Sequence, residues 1–267
     1  FELEQKYTGE TVESKLARTR AAMKEAGATA HVLTTLDDIC WTLNIRGNDV
    51  EYFPLVLTYA VITMDKVDLY VNEDKLNDEI KAHLAADGVV LHPYNDIYED
   101  IKKVGAEEVL MVDPGRLNYA LYKNIPENVK KVEERNPAIL FKCVKNPTEV
   151  ENIRIAEIKD SVAHVRFMKW LKENVGKETI TEMSASDKLD EFRAEMGGFI
   201  RPSFGPISAF GEHSAIVHYS SSPETNVELH EGSFLMTDTG AGFYEGSTDI
   251  TRTYAFGEVS QIMKDHF

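Results

Sequence analysis

The sequence predicts an α/β domain followed by an α+β domain in which two helices precede an antiparallel sheet. Three observations lead there. Residues 1–145 alternate short apolar runs with helical periodicity, the pattern of a layered α/β unit. Asn146-Pro147-Thr148-Glu149 is a strong helix start, with Asn as cap, Pro at the first helical position and Glu reaching back from the third. From Phe199 onward the helical periodicity gives way to strands and glycine-containing turns. These set the expected domains at 1–145 and 146–267.

In chain order, Val12 to Ala26 reads as an amphipathic helix stopped by Gly27, with Leu16, Ala22 and Met23 among its apolar positions. His31 to Thr35 is a short strand and Asp37 to Leu43 a helical turn. Leu55 to Thr63 and Val67 to Val71 pair through a polar turn at Asp65 and Lys66. Helices over Leu76 to Ala86, Ile97 to Val104 and Leu117 to Tyr122 alternate with strands over Val89 to His92 and Val109 to Val112. The long helix after Asn146 offers Val150, Ile153, Val162, Val165, Met168 and Leu171 as core positions. A second helix, Thr181 to Met196, turns Met183, Leu189 and Phe192 inward and ends at Gly197 and Gly198. Ile207 to Tyr219 reads as an extended stretch broken by Gly211. Phe234 to Phe243 and Thr248 to Phe256 read as two strands around a tight turn.

Composition bounds the function. The chain has 267 residues with 43% hydrophobic and 28% charged, ordinary for a globular protein. A net charge of −16 argues against nucleic acid and anionic membrane as partners, since phosphate binding needs a basic footprint. No apolar run approaches the roughly 18 residues of a membrane span. Cys40 and Cys143 are too few for a disulfide framework or a thiolate zinc site. A reducing cytoplasm is the default compartment. The chain begins at Phe1 without an initiator Met and stops at Phe267 inside an incipient helix, so both ends are expected to be cuts.

The chemistry is expected on Ser233 to Gly257. A turn centred between Phe243 and Tyr244 makes Asp238 and Asp249 a directly opposed pair on one face, with Cβ atoms about 4.5–5.5 Å apart. Like charges so placed repel unless something positive lies between them. Arg252, three residues beyond Asp249, points to the other face. One alternative is a surface hairpin with two solvated acids, because turns attract Asp and Gly for local reasons. Apolar neighbours Phe234, Leu235, Met236 and Phe256 suggest burial, and buried carboxylates are tolerable around hard divalent cations.

Asp238-Thr-Gly240 followed by Gly246-Ser-Thr-Asp249-Ile-Thr-Arg252-Thr253 resembles the first-strand signature of the creatinase, prolidase and aminopeptidase P superfamily, whose fold is the "pita-bread". Ile216-Val-His218-Tyr219 with Pro223-Glu-Thr-Asn226 resembles the segment that carries a substrate-binding histidine in the long, three-domain aminopeptidases P. Leu36-Asp-Asp-Ile-Cys-Trp41 and Asn44-Ile-Arg46-Gly47-Asn-Asp49-Val50 resemble their middle domain. The resemblance covers nearly the whole chain. It implies a creatinase N-terminal-like α/β middle domain followed by an incomplete α+β pita-bread domain, truncated after its N-terminal half.

The resemblance further implies two divalent metal ions, with Mn2+ foremost and Co2+ or Zn2+ as alternatives. Asp238 and Asp249 match metal ligands, and His218 matches the catalytic, substrate-binding histidine that hydrogen-bonds the substrate or its developing oxyanion. The remaining His and two Glu ligands lie beyond Phe267. The implied reaction of the intact protein removes the N-terminal residue from peptides with proline second. A prolidase acting on dipeptides is the alternative enzyme, and a non-catalytic pita-bread binding module is the alternative from another class. Creatinase-type chemistry lacks these aspartates. His213 and His230 fall in polar, loop-like segments and are expected to be exposed. Arg46 is expected to pin a loop and Trp41 to join the core. Half a pita-bread sheet would expose an edge and an apolar face, so either the other half lies outside this stretch or the chain associates as a homodimer.

Overall fold

The alternation in the first half resolves into a six-stranded mixed sheet. The computed structural model describes residues 1–266, leaving Phe267 outside. Two compact units result, Phe1–Thr148 and Glu149–Phe267.

In the first unit, α1 (Gln5–Thr8) and α2 (Val12–Glu25) lead to β1 (Ala30–Leu33), α3 (Leu36–Thr42), β2 (Thr58–Thr63), β3 (Val67–Val71), α4 (Asp78–Ala86) and β4 (Val89–His92). Then come α5 (Ile97–Asp100), β5 (Val109–Val112), α6 (Tyr119–Asn124), β6 (Lys130–Glu133) and α7 (Pro137–Cys143). The sheet order is β4-β3-β2-β1-β5-β6. β2 is antiparallel to both β1 and β3, while β4, β5 and β6 pair in parallel with their neighbours. All four residues of β1 are buried, because one core lies on each side of it. One core joins Leu16 and Met23 to Ile39, Ile62 and Leu69; the other joins Val32 to Ile97, Leu110 and Leu121.

The elements from β1 to α6 match the expected ones within a few residues, whereas α1, β6 and α7 were not expected. β6 is an edge strand of Lys and Glu around one Val, so it carries no apolar alternation. In α7 only Ala138 is buried and Leu140 lies exposed. Lys142 of α7 donates to the carboxylates of both Asp37 and Asp38. Trp41 is buried, and Arg46 pins its loop by donating to the carbonyls of Cys40 (3.0 Å) and Ile45 (2.8 Å).

In the second unit, α8 (Pro147–Asn174) and α9 (Glu182–Ala194) precede β7 (Phe199–Pro202), β8 (Ile207–Phe210), β9 (Phe234–Thr239), β10 (Ala241–Phe243), β11 (Ile250–Ala255) and α10 (Gln261–His266). β8, β9 and β11 form an antiparallel sheet in the order β11-β9-β8, and β10 pairs with β7. The expected single strand from Phe234 to Phe243 thus breaks at Gly240. A Cβ there would collide with the Ser203 hydroxyl and the Thr248 carbonyl, so only glycine lets the chain cross this point. Ile207 to Tyr219 is not extended throughout: after Phe210 the chain forms a 3-10 turn, Gly211–Ala215, and then a tight turn at His218.

The core of this unit gathers Phe167, Leu171, Leu189, Leu235, Tyr254 and Phe256. The helix phase differs from the expectation. Val162, Val165 and Met168 are exposed, while Asn152, Ala156, Asp160, Ala163, His164 and Phe167 are buried with Leu171. In α9 Leu189 is buried as expected, together with Glu182 and Arg193. The buried stripes run through polar residues whose partners come from elsewhere in the chain, so apolar periodicity picked the wrong side of α8 at Val162, Val165 and Met168, while Leu171 is buried as expected.

Candidate metal centre

The hairpin joining β9 and β11 closes on two residues, Tyr244 and Glu245. Phe243 and Gly246 exchange backbone bonds, N–H to carbonyl at 2.8 Å and 3.2 Å. The turn therefore sits one position later than expected, and the register shifts with it. Asp238 lies opposite Thr251, not opposite Asp249. Thr248 N–H donates to the Ala241 carbonyl at 2.9 Å and Gly242 bridges Ser247, so the same register carried through places Asp249 opposite Gly240. The two aspartates become diagonal neighbours, about 7–8 Å apart by the usual spacing of such positions.

They nevertheless share a face. Thr239 and Thr248, the residues beside them, turn their hydroxyls inward onto one buried ion pair. Arg193 donates through Nε to Asp160 Oδ1 at 2.8 Å and through Nη2 to Thr239 Oγ1 at 2.9 Å. Thr248 Oγ1 donates to Asp160 Oδ2 at 2.5 Å and accepts from the Ala241 N–H at 2.9 Å. Asp160 and Arg193 are 0% and 1% exposed. Because side chains alternate along a strand, the neighbours of these threonines project to the opposite, open face. There Asp238 is half-buried and Asp249 exposed, in contrast to the burial inferred from the apolar neighbours. Strand alternation explains the difference: Leu235, Thr237 and Thr239 point to the core, while Phe234, Met236 and Asp238 point away. Arg252, paired with Thr237, belongs to the core-facing row as expected.

The Asp238 carboxylate accepts from Thr251 Oγ1 at 2.8 Å. Burial, reinforced by the charges of Asp160 and Asp249, holds the Glu157 carboxyl above the ordinary range. Behind the ion pair, His164 Nδ1 lies 3.1 Å from the Tyr254 hydroxyl and its Nε2 faces Arg193 Nη2 at 3.4 Å. Nε2 must then accept, so Nδ1 carries the hydrogen. Burial, helped by the Arg193 and Arg252 charges against the opposing pull of Asp160, brings the His164 pKa down to about 4.

His218 stands in the tight turn that follows the 3-10 segment. It is exposed and its φ is 55°, so it is not the strand residue that the reading of Ile207 to Tyr219 implied. His213 was expected in solvent. Its side chain is instead 17% exposed, with Nδ1 2.9 Å from Glu182 Oε1 and the ring stacked on Tyr219 at 4.5 Å. His230 is exposed as expected.

Two carboxylates on an open sheet face suit a hard divalent cation, which takes oxygen ligands, but they supply only part of a coordination set. Among the described residues no three His, Cys, Asp or Glu side chains come together as a metal site. The donor set thus fits such an ion as a contribution to be completed by other groups.

Residues 1–149 match the creatinase/prolidase N-terminal domain, and residues 151–267 match the metallopeptidase family M24. The chain belongs to the creatinase–prolidase family of M24 metallopeptidases. Its architecture is the family's creatinase N-terminal α/β domain followed by part of an M24 pita-bread domain. It is 36% identical over 266 residues to Xaa-Pro aminopeptidase 1 of Dictyostelium discoideum, covering 98% of this chain and 42% of that protein. It is 34% identical to aminopeptidase P2 of Arabidopsis thaliana, covering 98% and 41%. The chain thus spans well under half the length of these relatives. Among solved structures, the X-prolyl aminopeptidase of Caenorhabditis elegans, described as a cytosolic enzyme with a di-nuclear active site, superposes with a TM-score of 0.91 at 30% identity. That match covers all of this chain and 44% of the other. Among the described residues no helix is long and apolar enough to cross a membrane.

Reading the sequence missed the residues behind the site: Asp160, His164, Glu182, Arg193 and the two threonines. A signal existed for the first pair. Asp160 and His164 stand four apart on α8 in line with Ala156, Ala163 and Phe167, the pattern of a core stripe with paired polar members.

Proposed function

We propose that the protein to which this chain belongs is a dinuclear-metal aminopeptidase that removes the N-terminal residue from peptides with proline in second position. Residues 1–145 would be its middle α/β domain and 146–267 the N-terminal half of its catalytic domain. The observation that carries the reading is the projection of Asp238 and Asp249 from one open face of the hairpin, within the sequence pattern of the family.

In this reading both carboxylates hold cations, Mn2+ foremost with Co2+ or Zn2+ as alternatives, and the remaining His and two Glu ligands come from residues outside this chain. When bound, the metal pair supplies Lewis acidity and brings the pKa of a water close to neutral. The chain's own residues then position and stabilise. Asp238 keeps one oxygen tied to the Thr251 hydroxyl at 2.8 Å, which fixes its rotamer and leaves the other free to ligate. Thr239 and Thr248, gripped by Asp160 and Arg193, hold the backbone on either side. His218, exposed on its turn, donates a hydrogen bond to the substrate carbonyl as negative charge develops on its oxygen. Hydrolysis adds water across the bond before proline, and the proton passes to the proline nitrogen through a glutamate outside this chain. The partner is a peptide and the compartment the cytoplasm.

The test is Asp249→Asn in the full-length protein. Metal content and activity on a proline-second tripeptide should fall together. Activity retained at saturating Mn2+ would remove the reading. Cleavage confined to dipeptides would redirect it to a prolidase. Two carboxylates alone do not close a dinuclear site, so the 267-residue chain itself should bind Mn2+ weakly and lack peptidase activity. Calorimetry showing tight binding of two ions per chain would contradict that.

A further inference from the structure

Glu182 opens α9, and its side chain is wholly buried. Three donors converge on its carboxylate: the Phe210 N–H at 2.6 Å, the Tyr219 hydroxyl at 2.7 Å and the His213 ring through Nδ1 at 2.9 Å. They come from three successive pieces of chain, namely the end of β8, the 3-10 turn and the residue after His218. The far end of the same loop returns to the same helical turn. Glu182 N–H donates to the Val227 carbonyl at 3.1 Å, and Met183 N–H donates to Asn226 Oδ1 at 3.1 Å. The helix N-terminus favours a negative charge there, and three donors replace the water that burial removed.

What this fastening encloses is a strained residue. His218 sits at φ 55° in a turn closed by the Tyr219 N–H on the Ile216 carbonyl at 3.2 Å. A left-handed residue other than glycine persists only where its surroundings over-determine it. Ahead of it, Ile216 and Val217 stand 53% and 83% exposed. The turn therefore presents an apolar lip followed by an imidazole, and the side chains on either side of it, His213 and Tyr219, both reach the Glu182 carboxylate, Tyr219 also meeting the Thr225 hydroxyl at 3.2 Å.

We propose that Glu182 is a positioning residue: through Tyr219 and His213 it clamps the turn so that the His218 imidazole is offered to substrate in one place. The proposal rests on the reading of His218 as substrate-binding. Free of the clamp, His218 would relax out of the left-handed region and the turn would sample several orientations.

The experiment is a double-mutant cycle in the full-length protein, assayed on a proline-second tripeptide at saturating Mn2+. Tyr219→Phe removes the hydroxyl's bond to Glu182 together with its longer contact to Thr225 and leaves the ring to pack; Glu182→Gln removes the charge. Each should lower kcat/KM about tenfold or more, the worth of a hydrogen bond to a charged group, with metal content near that of the parent, and each should also lower the melting temperature because a buried carboxylate loses a partner or its charge. In a His218→Ala background, Tyr219→Phe should change kcat/KM less than about twofold, because the residue it acts through is gone. Full additivity of the two substitutions would overturn the proposal, and so would an unchanged kcat/KM in Tyr219→Phe. Should Glu182→Gln fail to fold, the cycle on Tyr219 decides alone. If His218→Ala by itself leaves kcat/KM intact, the reading of His218 fails and the clamp falls with it, whereas additivity with an impaired His218→Ala sinks only the clamp.

Discussion

Arg193→Met probes the element that sets the two aspartates in place. The guanidinium is 1% exposed and donates to both oxygens of Asp160, at 2.8 and 3.2 Å, as well as to Thr239 and Asp190. Methionine fills a similar volume but leaves the Asp160 carboxylate, 0% exposed, with its positive partner gone and the Thr248 hydroxyl beside it. Breaking a buried pair on one side costs about 3–5 kcal/mol. With a urea slope of about 2 kcal/mol per molar, the midpoint should fall by roughly 2 M. Trp170 packs against the core of this unit and Trp41 lies in the other, so a Trp41→Phe background reports the second unit alone. Asp160→Asn added to Arg193→Met removes the stranded charge and should recover much of the loss. A single-variant loss below about 1 kcal/mol, or a double variant no more stable than the single, would refute the reasoning.

Two further substitutions test neighbouring parts of the same argument. His164 is held neutral, with its pKa brought from 6.5 to about 4, so the unfolded chain takes up a proton between those values that the folded chain refuses. Stability from this group should be complete above pH 6.5 and lost as the pH falls towards 4, by up to about 3 kcal/mol. Urea midpoints at pH 7.5 and 5 in the parent and in His164→Gln measure it, and an equal acid sensitivity in the two proteins would contradict the assignment. Gly240→Ala forces a methyl group onto the Ser203 hydroxyl and the Thr248 carbonyl and should cost about 1–3 kcal/mol. Because it pushes on the strand between the two aspartates, it should also weaken Mn2+ binding in the full-length protein; unchanged stability and affinity together would show that the hairpin yields freely there.

The order of elements was legible because local signals agree with one another. Asn146 and Pro147 mark the start of α8, and the strands from β1 to β5 alternate or run apolar where the sheet is covered on both sides. The projection of both aspartates to one face was legible too, although not their direct pairing, since the parity of a hairpin survives a change of register by two. The register itself was not. It is decided by the reciprocal bonds of Phe243 and Gly246 and by the threonine hydroxyls that reach Asp160 and Arg193 from the opposite side.

What the sequence determined by itself was the layered architecture, the family pattern and the identity of two acids on one ribbon, all fixed by residues close together along the chain. Tertiary structure alone decided which face of α8 is buried, where His213 lies and how His218 is held. In each case the reason is a charged group, Asp160, Arg193 or Glu182, whose burial depends, beside any local partner, on groups that stand 28 to 88 residues away. No window of sequence contains both halves of such an interaction, and a charge read without its partner is assigned to solvent.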